Sequence, residues 1–142
     1  MELTLKRELI FPDAIHGKIY YRNKPVCCTL EKPNHCLVAG TYRMRLEKVN
    51  EEDEYLTPCL YRTNSEVYRV MCTITKGNGL RNLRSYTIFA GKYQCRGLVI
   101  QGDKYLKRLN ELIATKKENE KEKVYLKIES QQVNETCKGL KV

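Results

Sequence analysis

"SYTIFAGKYQCRGLVIQG", Ser85 to Gly102, runs as an apolar strand around Tyr86–Ala90, a glycine, a short polar turn, and a second apolar strand at Leu98–Ile100. Two β-rich runs separated by turn residues predict a hairpin. Working outward, "ELTLKREL" alternates Leu3 and Leu5 with Thr4 and Lys6, the period of two of a strand. "GKIYYR" and "VCCTLE" flank the turn residues Asn23 and Pro25 and predict a further hairpin. In "TYRMRLEKV", Tyr42, Met44 and Leu46 take one face and Arg43, Arg45 and Glu47 the other. "SEVYRVMCTI" reads as another strand, and "VYLKIE" as the closing one, with Val124, Leu126 and Ile128 inward.

After the hairpin the period changes. Leu106, Leu109, Leu112 and Ile113 fall on one helical stripe, with Lys104, Lys107, Arg108 and Glu111 opposite and Asp103 as N-cap. The expectation is one α+β domain over residues 1–129. It has a mostly antiparallel sheet or partial barrel of about seven or eight strands, with one main helix over about 103–117 packed on it. Residues 130–142 read as a polar tail, either disordered or forming one extra strand.

The chain has 142 residues, a size for one core. Charges interrupt every apolar run before the roughly 20 residues of a membrane-spanning helix. "MELTLKRELIF" lacks the form of a secretory signal, which points to a cytoplasmic protein. Seven cysteines, with no C-x-x-C pair, read as reduced thiols. Cys27, Cys28, His35 and Cys36 cluster in sequence, but adjacent strand residues face opposite ways, so neither a metal site nor a cofactor is expected.

The net charge of +9 is concentrated. Residues 1–66 balance, whereas residues 67–102 carry Arg69, Lys76, Arg81, Arg84, Lys92 and Arg96 and no carboxylate. A single-sign field of this kind attracts anions. Lys76, Arg81, Arg84, Lys92 and Arg96, interleaved with Tyr86 and Tyr93, form the candidate contact surface for an acidic macromolecule: nucleic acid, an acidic protein or an anionic polymer. Arginine can grip phosphate with two hydrogen bonds, and tyrosine can stack on an unpaired base. "TKGNGLRN" lacks the G-K-[ST] ending of a phosphate loop.

"LTLKRE", "GKIYYRNKPVCCTLEKP", "VAGTYRMRL", "SYTIFAGK", "RGLVIQG", "LNELI" and "VYLKIE", in that order and spacing, resemble a family of small bacterial and phage proteins catalogued as domain of unknown function 5675. The resemblance spans residues 2–129. Its members carry an I-H-x-G-N turn and a G-C-I-L-V-G strand, similar to the histidine and cysteine signature of cell-wall transpeptidases. Laid on this chain, the histidine position is Phe89 and the cysteine position Leu98, while Gly91, Gly97 and Gly102 match the motif's glycines. The asparagine position is Lys92, and Glu31 matches a glutamate common in the family.

With hydrocarbon at both reactive positions, the resemblance implies a binding or accessory module rather than an enzyme. Two alternatives stand beside it. One is a cysteine-dependent enzyme acting on cell-wall peptide through Cys95, whose neighbours Lys92 and Arg96 would favour a thiolate. The other is a structural component of a phage particle. Glu31 reads as structural, because no second carboxylate stands at a spacing suited to acid–base work.

Overall fold

A computed structural model describes residues 1–52, 55–63, 69–120 and 123–130 of the chain. Among these residues lie nine strands: β1 (Glu2–Ile10), β2 (Ile15–Tyr21), β3 (Lys24–Glu31), β4 (Gly40–Glu47), β5 (Thr57–Arg62), β6 (Cys72–Lys76), β7 (Thr87–Cys95), β8 (Leu98–Ile100) and β9 (Val124–Ser130). A 3₁₀ turn, Leu80–Asn82, precedes β7, and one α-helix, α1 (Gly102–Glu120), separates β8 from β9. No helix among the described residues is long and apolar enough to cross a membrane.

Eight strands close on themselves. The order is β3-β2-β1-β9-β4-β5-β6-β7, and β7 returns to pair with β3 through Cys28↔Gly91, Thr29↔Ala90 and Leu30↔Phe89. A full barrel therefore replaces the expected sheet or partial barrel; closure leaves no free edge among those eight strands, and β8 alone stands at the end of the pairing order. Pairing is antiparallel except for β1 with β9 and β6 with β7. Parallel neighbours need a crossover rather than a tight turn. Residues 77–86 supply it between β6 and β7, and β1 and β9 are neighbours from opposite ends of the chain.

The alternation read from sequence sets the barrel interior. Leu3, Leu5, Ile19, Cys27, Met44, Leu60, Ile74, Ile88, Leu126 and Ile128 belong to one buried cluster. Cys27 is buried and Cys28 half-exposed, as adjacent strand residues must be when only one faces in. Helix α1 contributes Leu109 and Ile113 to the same cluster, with Leu106 and Leu112 packed at its margin. Its charged residues Lys104, Lys107, Arg108 and Glu111 are exposed.

Two elements depart from expectation. Strand β5, "TPCLYR", has no alternation because Pro58, Cys59, Leu60 and Tyr61 are all buried, so both faces are covered. Pro58 lies opposite Leu46 of β4 and has no register partner in β6, whose pairing with β5 is confined to Cys59 and Leu60. Strand β6 begins at Cys72, and the earlier part of "SEVYRVMCTI", residues 65–68, lies outside the described residues. The expected tail, residues 130–142, also lies outside them, except at Ser130, which ends β9.

Candidate functional site

Strand β7 leaves the barrel wall after Gly91. Its pairing with β3 ends there, and from Lys92 onward it pairs with β8, through Lys92↔Ile100, Tyr93↔Val99 and Cys95↔Leu98. A bulge between Tyr93 and Cys95 bends the hairpin, as an extra residue in one strand does. Residues 92–96 are all exposed. Under the hairpin, on the outside of the barrel, lies a second apolar cluster of Ala14, Leu30, Leu83, Phe89 and Val99, with Phe11 and Leu80 against it.

Phe89 is thus a core residue, laid beside Leu30 and buried. The β8 residue packed with it is Val99. Successive strand side chains face opposite ways, so half-buried Leu98 is turned from Phe89. The glycines have packing reasons of their own. A methyl on Gly91 would sit 2.7 Å from the Ile100 carbonyl oxygen, and one on Gly102 would sit 2.9 Å from the Lys76 carbonyl carbon. Both distances are too short for a real contact, so β8 and the start of α1 can approach only bare backbone. Gly97 holds φ +81° at the hairpin turn, where a side chain would be strained.

The buried histidine of this region is His16, brought to it by β2. Its Nε2 accepts a hydrogen bond of 2.9 Å from the Gly97 N–H. Its ring meets Tyr93 edge-on at 4.7 Å and Phe11 at 6.3 Å. An Nε2 that accepts must be unprotonated, which places the proton of the neutral ring on Nδ1. That Nδ1 is buried and has no hydrogen-bond partner among the described residues. Its lone pair committed, His16 has none to offer a thiol as base.

Burial lowers the His16 pKa, against a smaller upward pull from Asp13. The sign follows. The unfolded chain titrates near about 6.5, so below that pH it binds a proton that the folded chain resists. The contribution to stability is complete above about pH 6.5 and is lost as pH falls towards the lower folded value. His16→Gln keeps an acceptor where Nε2 stood and removes the titration. Melting temperatures taken from pH 7.5 to 5.5 are expected to fall more steeply for the natural protein than for this variant; parallel slopes would refute the account.

Cys95 is exposed and lies outside the cavity that His16 lines. That cavity, about 350 Å³, is bounded by Glu8, Leu9, His16, Gly17, Lys18, Cys28 and Tyr93. Its thiol is therefore Cys28. The cross-strand neighbours Lys18↔Cys28 and His16↔Leu30 place it there, a pairing legible only once β2 and β3 are registered.

Two of the basic residues have acidic partners. Lys76 ends β6 and pairs with Asp103 at 3.3 Å. Arg96 pairs with Asp13 at 2.7 Å and stacks its guanidinium 4.8 Å from the Phe11 ring centre, fastening the hairpin tip to the β1–β2 turn. Arg81, Arg84 and Lys92 are exposed and carry no carboxylate partner among the described residues. Arg81 stands in the 3₁₀ turn, which is tied to the hairpin by the Leu80 N–H to the Gly97 carbonyl at 2.9 Å. Tyr86 and Tyr93 are 47% and 39% exposed. Tyr86 has φ +55°, an uncommon conformation for a bulky residue, and its N–H donates to the His35 carbonyl at 2.7 Å. Comparison with protein-family models, curated proteins and solved structures found no match.

Proposed function

We propose that the protein is a non-catalytic binding or accessory module that meets an acidic macromolecule through Arg81, Arg84 and Lys92, with Tyr86 and Tyr93 as flanking aromatic surface. Bacterial or phage origin, and kinship with the family catalogued as domain of unknown function 5675, belong to the same reading. The observation that carries it is the set of exposed cations, without a carboxylate partner among the described residues, on a stretch of sequence that itself has no carboxylate. Lys76 and Arg96 contribute less to it, since each already faces an aspartate. Support against catalysis comes from Phe89, which serves as packing, and from His16, whose lone pair is engaged.

Binding of this kind is electrostatic and salt-dependent. Each phosphate contact contributes roughly one unit to the slope of log affinity against log salt. An Arg81→Glu/Arg84→Glu/Lys92→Glu protein is expected to leave heparin or single-stranded oligonucleotide columns at clearly lower salt than the natural chain. Its slope should be reduced by about three. Co-elution of the two proteins would reject this face.

A further inference from the structure

We propose that the groove between helix α1 and the start of β5 is a separate binding site for a small amphiphilic organic anion, an apolar body ending in a carboxylate. Among the described residues the groove is lined on its apolar part by Tyr55, Leu56 and Leu106, and on its charged part by Lys76, Lys104 and Lys107 with Asp103. Its volume is about 540 Å³, within the range of small-molecule sites. Tyr55 and Leu56 are 59% and 45% exposed, adjacent apolar residues that the fold leaves open. Single exposed apolar residues are ordinary; two side by side in a concave site rimmed by charge mark an interaction surface.

The apolar part is tied to the helix. Asn110 Nδ2 donates to the Leu56 carbonyl at 2.7 Å, which pins residue 56 to the helix. The rim is positive: Asp103 is the carboxylate among the lining residues, against three lysines. Lys76 faces Asp103 at 3.3 Å and Lys107 faces Glu111 at 3.9 Å, while Lys104 lies 5.5 Å from the Tyr105 ring centre. Both ion pairs are well exposed, and exposed pairs are weak enough to yield to an incoming anion. Apolar side chains and ammonium groups lining one groove select an anionic amphiphile over a cationic one and over a purely polar anion.

Sodium dodecanoate, titrated calorimetrically into the full chain below its micelle-forming concentration, is expected to saturate at one equivalent. Lys104→Glu/Lys107→Glu and Leu56→Asp are each expected to weaken it by at least about tenfold, a change of about 1.4 kcal/mol. These sites are exposed, and thermal melting checks that both variants fold. Dodecyltrimethylammonium is expected to bind the natural protein more weakly than dodecanoate does. The Arg81→Glu/Arg84→Glu/Lys92→Glu protein is expected to keep dodecanoate affinity, which separates this site from the hairpin face. No saturation, equal uptake of both amphiphiles, undiminished affinity in the two groove variants, or capture of an acidic peptide without dodecanoate uptake would each overturn the assignment.

Discussion

Glu31→Ala is expected to cost about 3–5 kcal/mol of folding stability, a large share of the roughly 5–15 kcal/mol that holds a domain together. Arg7 and Glu31 meet inside the barrel through two parallel hydrogen bonds, Nε to Oε1 at 3.0 Å and Nη2 to Oε2 at 2.8 Å. Both side chains are almost wholly buried. Burial pulls the Arg7 pKa down, but the hydrogen bond and charge of Glu31 outweigh it and leave the guanidinium raised and charged. Removing the carboxylate strands a full positive charge in a low-dielectric interior, and that stranded charge is the main source of the loss.

The same physics sets the sign of the double substitution. Replacing both partners with hydrocarbon, Arg7→Met with Glu31→Leu, removes the desolvation cost of two ions along with their attraction. One debt remains: Arg7 Nη2 also donates to the Leu37 carbonyl at 2.5 Å, and an orphaned buried acceptor costs about 1–3 kcal/mol. The double variant is therefore expected to be more stable than Glu31→Ala alone, though not more stable than the natural chain. Urea titrations of the natural and both variant proteins test this, with Glu31→Gln as the milder change if the alanine variant does not fold. A Glu31→Ala loss below 1 kcal/mol, or a double variant weaker than the single, would show the pair to be incidental. The pair also joins the barrel to the β3–β4 connection at Leu37, where Tyr42 adds a bond from its hydroxyl to the Val38 carbonyl at 2.7 Å.

Half of this pair was legible in the sequence. Arg7 continues the inward phase of Leu3 and Leu5, so the alternation that identifies β1 also commits a cation to the interior. Glu31 continues the phase of Cys27 and Thr29 in the same way. What periodicity cannot supply is the partner, because β1 and β3 are not paired to each other: β2 lies between them, and their inward side chains meet over it. Barrel closure itself was unreadable for the same reason. The β3–β7 contact joins residues about sixty positions apart, and no local pattern encodes it. Helix α1 was readable because its burial repeats within its own length.

The candidate site divides along the same line. The exposure of Arg81, Arg84 and Lys92 agrees with a charge run that sequence could show. The diversion of Arg96 to Asp13, 83 residues away, could not be seen there. Nor could the hold of His16 on Gly97 across 81 residues, although it accounts for much of the hairpin's placement.

Phe89→Ala is expected to cost about 3–5 kcal/mol, the range for deleting a buried aromatic ring whose surroundings cannot collapse into the gap. Its neighbours leave little freedom to collapse: Leu30 is fixed in the β3–β7 ladder, Val99 in the β7–β8 hairpin, and the Gly91–Ile100 approach sets the hairpin's height. The same geometry predicts what happens if the family motif's reactive pair is reinstalled. Phe89→His puts a polar ring beside Leu30 and Val99 with no partner at hand, which adds about 1–3 kcal/mol of desolvation penalty to the packing loss. Leu98→Cys places a thiol on the opposite side of β8 from Val99, turned away from position 89. A histidine activates a thiol only within hydrogen-bond reach. Alkylation of the introduced thiol at neutral pH, read by mass spectrometry, is therefore expected to run at the same rate with Leu98→Cys alone as with Phe89→His added. Acceleration by the histidine would mean that the two positions face one another, and that hydrocarbon displaced a working pair rather than filling a place the fold requires.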